Sequence, residues 1–277
     1  MVLTVWRRFR TQKLALLCFI LIIAQVLISV FAFWVAPYDP LEPHYVDAYA
    51  LPNKTFLMGT DDLGRDVLSR LVYGGRVSLS IGILSQVAAV LIGLPLGALA
   101  GWLGGWVDFV VTRFIEILTA VPTIFLYILL MIALGPGFWN LMLAMTITGW
   151  TSIARLVRGQ VLSLRQTDYV RAAQAMGGDN KHIITTHLLR NALTPVLVNL
   201  TFGVPNAMTA EAGLSYMGLG IAPPTPSWGN MMGTYQGLIR TNWNLTVFPA
   251  LVLALVMMTW YQFGEGLRVA LDPSIQI

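Results

Sequence analysis

From Leu14 to Ala36 the chain runs for 23 residues without a charged side chain. About 20 apolar residues are what a helix needs to cross the hydrocarbon of a bilayer. No water reaches the backbone there, so each N–H and C=O must be paired inside the segment, and a helix does this locally. The run therefore sets a conformation and a solvent together. Basic residues precede it, Arg7, Arg8, Arg10 and Lys13, as in a secretory signal. The run is too long for a signal core and no A-x-A site follows, so it reads as a first span that is retained.

Five more apolar runs follow, at roughly Val77–Leu103, Val107–Leu134, Trp139–Ile153, Ala192–Leu219 and Leu245–Gly264. Charged residues make up 11% of the chain, against about 25% in an ordinary globular protein. That is too few to clothe a soluble surface. The expectation is an all-α integral membrane protein with six transmembrane helices. The lone cysteine, Cys18, lies inside the first run, so no disulfide framework exists.

Lys and Arg concentrate on the cytoplasmic side of such bundles. With both termini inside, Arg7, Arg8, Arg10, Lys13, Arg113, Arg155, Arg158, Arg165, Arg171, Lys181, Arg190 and Arg268 are cytoplasmic, twelve of the 17 basic residues. Five stay outside: Lys54, Arg65, Arg70, Arg76 and Arg240. An N-in, C-in orientation follows. Residues 1–76 then comprise a basic lead-in suited to the membrane surface, the first span and a long outside segment. Residues 77–277 form the remaining membrane domain, with a cytoplasmic loop at about 168–190. "GPGFWN" (135–140) is a tight outside turn. In the second outside connection, 222–244, prolines exclude a regular helix at the start, while "NMMGTYQGLIR" suits a short one.

The loop "YVRAAQAMGGDNKHIITTHLLRN" (169–191) is polar and helix-forming in an otherwise apolar chain. Asp168 is placed to cap a helix from Tyr169 to Met176, and Gly177-Gly178 to end it. Asp179 is placed to cap a second helix through about Arg190, with Thr194-Pro195 marking the start of the next span. Val170, Ala172, Ala173 and Met176 make one small apolar patch; Ile183, Ile184 and Leu188 make another. Small residues at Ala172 and Ala173 let such a helix lie close to a partner surface. An ordinary helical connection gives the same pattern. A DNA-reading helix-turn-helix does not belong between two spans, and no nucleic acid is expected.

"RAAQAMG" followed nine residues later by "HLLRN" resembles the EAA loop of ABC-importer permeases. Ala172, Ala173, Gly177 and Leu189 match that pattern; Arg171, His187 and Arg190 replace its glutamate, isoleucine and proline. In the family this loop docks into a cleft on a cytoplasmic ATPase. The resemblance thus gives ATPase coupling to Asp168, Arg171, Ala172, Ala173, Met176, Gly177, Asp179 and His187. "MGTDDLGRDVLSRLVYGGRVSLSIG" (58–82) and "EAGLSYMGLGIAPPTPSWGNMM" (211–232) resemble the two other signatures of the dipeptide/oligopeptide/nickel permeases, and the long first outside segment resembles their C-type member.

The resemblance implies a type I ABC importer permease fold in the cell inner (plasma) membrane. It implies a second homologous permease, two cytoplasmic ATP-binding subunits holding ATP and magnesium, an external substrate-binding protein and alternating access. Short peptides are the expected cargo; nickel complexes, glutathione and oligosaccharides are the alternatives. A stand-alone carrier or channel predicts internal repeats or several buried charges, and neither is visible. No P-loop motif occurs, and no nucleophile–His–acid set, so no cofactor and no catalytic residue is expected on this chain.

"TDDLGRD" departs from calcium-loop spacing, so no metal site is expected. Asp61 and Asp62 are read as satisfying a turn, and Arg65 and Asp66 as a local pair; the family places this segment near the outer mouth. His182 and His187 read as surface residues. Glu211 is a charge within a span, which marks either a pathway or a structural pairing, for example with an arginine of the outside segment. With Asn199, Asn206, Thr209 and Ser215 it gives a candidate substrate path along a fifth span that Pro205 can bend. Arg113 and Glu116 are expected to pair. Trp34, Trp102, Trp106, Trp139, Trp150, Trp228 and Trp243 are expected mostly as interface anchors among membrane lipid.

Overall fold

The computed structural model describes residues 2–271 apart from Gly178, Asn180 and Lys181, with the side chains of residues 2–5, His187 and Arg190 also outside the description. Among the described residues regular structure is helical; one isolated bridge, Thr60 to Asp66, is the sole β pairing.

A short basic helix, α1 (Val2–Thr11), leads into α2 (Lys13–Val30) and a brief α3 (Ala32–Val35). Phe9 folds back onto Phe19 and Phe263, which ties α1 to the last helix. An irregular lobe, residues 36–66, precedes α4 (Val67–Leu103), a helix of 37 residues. Asp66 caps it, accepting from the Ser69 N–H at 2.7 Å. Next come α5 (Gly105–Thr119) and α6 (Thr123–Leu134). The expected unbroken third span is thus corrected: α5 and α6 meet at 84°. Pro122, the residue before α6, has no N–H to carry the ladder across the break.

Helix α7 (Phe138–Leu164) runs well past the apolar part of the fourth run. It packs along α4 at very short range because α4 presents Gly93, Gly97 and Gly101 on one face. A Cβ on Gly97 would stand 2.4 Å from the Ala154 carbonyl oxygen. Small residues spaced by four let membrane helices approach backbone to backbone.

The loop helix is α8 (Asp168–Ala175). A π-helical turn, Ile183–Leu188, passes without interruption into α9 (Leu189–Tyr216). The second loop helix and the fifth span are therefore one continuous helix, and Thr194-Pro195 marks no boundary. Pro195 and Pro205 both lie inside α9; membrane helices tolerate proline where neighbours re-satisfy the freed backbone. A cap helix, α10 (Trp228–Tyr235), begins with a capping box between Ser227 and Asn230. It lies directly on the end of α9 through Gly229 and Gly233, whose added Cβ atoms would reach Ala212 Cα at 2.5 Å and Tyr216 Cα at 2.6 Å. The last helix is α11 (Asn244–Leu271).

Helices α2, α4 and α11 are each long and apolar enough to cross a membrane, and α5 with α6 qualify together as one broken span. The tryptophans divide. Trp34, Trp106 and Trp139 are at least 70% exposed, as anchors would be, whereas Trp102 and Trp228 are buried. The Trp228 indole donates to the Leu71 carbonyl at 2.9 Å, so it is a core residue and not an anchor.

Candidate functional site

Three assemblies hold the residues singled out from sequence. The first is the lobe against the start of α4. Asp61 is 1% exposed and organises it. Its Oδ1 accepts from the Leu63 and Arg65 N–H groups, both at 3.0 Å, and its Oδ2 faces Arg65 Nε at 2.7 Å and Arg70 Nε at 3.3 Å. The expected Arg65–Asp66 pair is corrected: Arg65 pairs with Asp61 and Asp62, and Asp66 serves α4. Asp62 also departs from the turn role, accepting from Tyr235 of α10. Burial first, then that bond, push the Tyr235 phenol well above its ordinary range. Asp61, Arg65 and Asp66 are buried and only Asp62 reaches the surface. The lobe presents Tyr45, Val46 and Leu57 outward instead.

The second assembly is around Glu211, which is fully buried. Ser78 of α4 donates to its Oε2 at 2.9 Å and Ser215 to its Oε1 at 2.8 Å. The Trp228 N–H donates in turn to Ser78 Oγ, and the Ile221 N–H to Ser215 Oγ. No arginine takes part, contrary to the pairing considered from sequence. The carboxylate joins α4, α9 and the segment leading to α10. Thr209, by contrast, is exposed and bonded to the Pro205 carbonyl.

The remaining two path candidates meet a cavity. Asn199 and Asn206 line a space of about 270 Å³ together with Gln86 of α4, Tyr127 of α6, Ser152 of α7 and Gly203. Asn199, Gly203 and Asn206 fall on one face of α9 by their spacing of four and three. No charged residue lines it. Gln86, Tyr127 and Ser152 carried no sequence signal, because each lies on a different helix within an apolar run.

The third assembly is α8. Thr167, in extended conformation, is its N-cap and makes no side-chain cap bond; Asp168 is the first helical residue, a correction of one position. Val170 is buried against the core that includes Val157, Val161, Ile183 and Leu188. Ala173 is half-buried beside it, while Asp168, Arg171, Ala172 and Met176 face away, Met176 at 83% exposure. The expected patch is therefore split: Val170 and Ala173 hold the helix down, and Ala172 and Met176 remain bare. Gly177 takes φ +80°, the left-handed conformation that ends the helix. Asp179 enters through its carbonyl, which accepts from the Ile183 N–H at 3.0 Å. Gly178 and the His187 side chain lie outside the described residues. His182 is exposed.

Near the same end Arg158 of α7 grips Asp108 of α5 with two guanidinium nitrogens, Nη2 at 2.6 Å from Oδ2. Sequence reasoning missed this pair, whose members are 50 residues apart. The expected Arg113–Glu116 pair is present at 2.7 Å. Among the described residues no three His, Cys, Asp or Glu side chains cluster as a metal site would require.

Residues 93–277 match the family described as the binding-protein-dependent transport system inner membrane component. The chain belongs to this family. Residues 3–52 also match the N-terminal membrane domain of oligopeptide transport permease C. The permease is 40% identical to the oligopeptide transport system permease protein OppC of Bacillus subtilis, over 99% of this chain and 91% of that one. It is 36% identical to the dipeptide permease DppC of the same organism (98% of this chain, 85% of that one). Identity is also 36% to the glutathione permease GsiD of Escherichia coli (98% and 90%). Among solved structures, the inward-facing MetNI methionine ABC transporter overlaps 74% of this permease and 97% of its own chain, at TM-score 0.60 and 23% identity. The fold is that of type I ABC importer permeases, and the protein is a multi-pass membrane permease subunit.

Proposed function

We propose that this permease forms half of the translocation pathway of an ATP-driven importer of short peptides in the cell inner membrane. The relatives named for oligopeptides, dipeptides and glutathione all carry peptides, which favours that cargo over nickel complexes or oligosaccharides. A second homologous permease supplies the other half. Two cytoplasmic subunits bind ATP and magnesium, and an external protein delivers substrate. The chain crosses six times, with both termini inside, and α8 is cytoplasmic. Hydrolysis then belongs to the partner subunits, and this chain contributes no catalytic group.

One observation carries the coupling reading: α8 is pinned by Val170 while its opposite face, with Ala172 and Met176, is bare. A short helix fixed on one side and open on the other transmits a push into whatever it is fixed to. Here that is the end of α7 and the start of α9. The charge-free cavity between α4, α6, α7 and α9 is the path wall in this reading.

The test is purification from the native membrane in mild detergent, with mass spectrometry of what accompanies the chain. Two P-loop ATPases and a second permease are expected. The chain alone, or only copies of itself, would overturn the proposal.

A further inference from the structure

Gln86 stands near the middle of α4, and its side chain reaches between α7 and α9. Gly203 admits it: a Cβ there would come within 2.2 Å of Gln86 Oε1, while Gln86 Nε2 lies at ordinary contact distance, 3.9 Å, from the Cβ position of Gly149. Neither the Gln86 amide nor the Asn199 amide makes a hydrogen bond to any described residue. Asn206 accepts from the Tyr261 hydroxyl at 2.6 Å, which leaves its amide N–H groups uncommitted. Tyr127 shares one hydroxyl–hydroxyl bond with Thr148, at 3.0 Å. All of these border the same cavity.

Uncommitted amides are costly at membrane depth unless water or a ligand satisfies them. Two of them, aimed into one cavity beside two half-committed groups, form a built polar surface. Its chemistry is specific. Amide N–H and C=O groups match the C=O and N–H of a peptide bond. No carboxylate, ammonium or guanidinium lines the cavity to hold a particular substrate side chain. Neutral hydrogen bonds are also individually weak, and a path needs contacts that form easily and release easily.

We propose that Gln86, Asn199 and Asn206, with the Tyr127 hydroxyl, are a contact station for the peptide groups of the passing substrate. It reads the backbone and ignores side chains. Cargo selectivity by side chain then lies elsewhere in the transporter. The proposal rests on the reading of the chain as a peptide importer's path wall.

The test uses the complete transporter in vesicles with its binding protein, ATP inside, and trialanine as cargo. Trialanine uptake by the unaltered transporter is measured first, and its absence would sink the peptide reading and this proposal together. Given uptake, Gln86→Leu and Asn199→Leu are each expected to slow it roughly three- to tenfold, as loss of one neutral hydrogen bond would, with ATP hydrolysis stimulated by the binding protein still present. Unchanged uptake in both variants would overturn the station while leaving the importer reading intact. A Gln86→Cys variant covers the case in which leucine disrupts folding. Its new thiol is expected to react with a water-soluble thiol reagent, and trialanine is expected to slow that reaction during turnover. A thiol that is unreactive, or that trialanine does not protect, would equally overturn it. Cys18, the native cysteine, is buried and gives little background.

Discussion

Tyr235 donates its phenolic hydrogen to Asp62 at 2.5 Å across 173 residues of chain. That bond joins the lobe that follows α3 to the cap helix α10. Asn242 and Asn244 add two more links, donating to the Tyr49 carbonyl at 3.0 Å and the Met58 carbonyl at 2.8 Å. The lobe is thus fixed to the end of the bundle by side chains from the far part of the sequence.

Tyr235→Phe should therefore loosen the lobe at a cost of about 1–2 kcal/mol, the worth of a hydrogen bond to a charged acceptor at a part-exposed site. Melting in detergent should fall, and amide exchange at Tyr49, Thr60 and Gly64 should quicken. The phenol's raised value sets the pH window. A neutral donor favoured by the fold contributes fully below the unfolded tyrosine value near 10 and loses that contribution as pH climbs beyond it. The gap between wild type and Tyr235→Phe should stay constant from pH 7 to 9 and narrow only above about pH 10. A gap that closes by pH 8 would contradict this.

Glu211 gives a second outcome. Its two oxygens serve Ser78 and Ser215, which in turn accept from backbone N–H groups of the segment 221–228. Glu211→Ala leaves both serines short of an acceptor in a buried site, and a loss of about 2–4 kcal/mol is expected. Glu211→Gln keeps an acceptor for one of them and should lose less. Thermal melting of the two purified variants, run side by side, checks the order. Equal losses would mean that the carboxylate's hydrogen bonds are not what matters.

Gly97 tests the packing of α4 on α7. Its Cβ position lies 2.4 Å from the Ala154 carbonyl and 2.9 Å from Ala154 Cα, both backbone atoms that cannot turn aside. Gly97→Val should cost at least about 3 kcal/mol through forced separation of the helices and should lower the amount of protein in the membrane. Gly159→Val, inside α7, is the control, since nothing lies within 4 Å of its Cβ position. Similar accumulation of Gly97→Val and wild type would refute the close-packed interface.

Much of the fold was legible because hydrocarbon leaves so few options. The uncharged run of Leu14–Ala36 is helical apart from Phe31 and Ala36, and the left-handed stop at Gly177 follows from glycine after a helical octet. The rest was hidden for physical reasons. The proline at 195 looked like a boundary by soluble-protein rules, but α9 runs through it. The bend before α6 was masked because no charged residue interrupts the sequence across it, from Ile117 to Leu134. Asp62 and Asp108 found partners on distant helices, and neither spacing nor composition carries that information. The candidate loop residues were readable because their neighbours in sequence are their neighbours in space. The cavity was readable only by half, as the two asparagines on one face of α9.

Gly177 bears on the proposed coupling. It ends α8 at φ +80°, and no atom lies within 4 Å of where its Cβ would be. Substitution there meets no clash, so any effect must come from the backbone conformation. A β-branched residue is disfavoured in the left-handed region by about 1–2 kcal/mol, enough to swing α8 away from the orientation that Val170 holds. Gly177→Val should thus reduce uptake by roughly tenfold, the ratio that about 1.4 kcal/mol corresponds to, while ATP hydrolysis continues and the chain remains in the membrane. Asparagine tolerates the left-handed region, so Gly177→Asn should keep most of the uptake. The comparison separates conformation from contact. If both variants transport normally, α8 does not carry the motion; if both fail alike, the glycine's lack of a side chain matters because something docks against it.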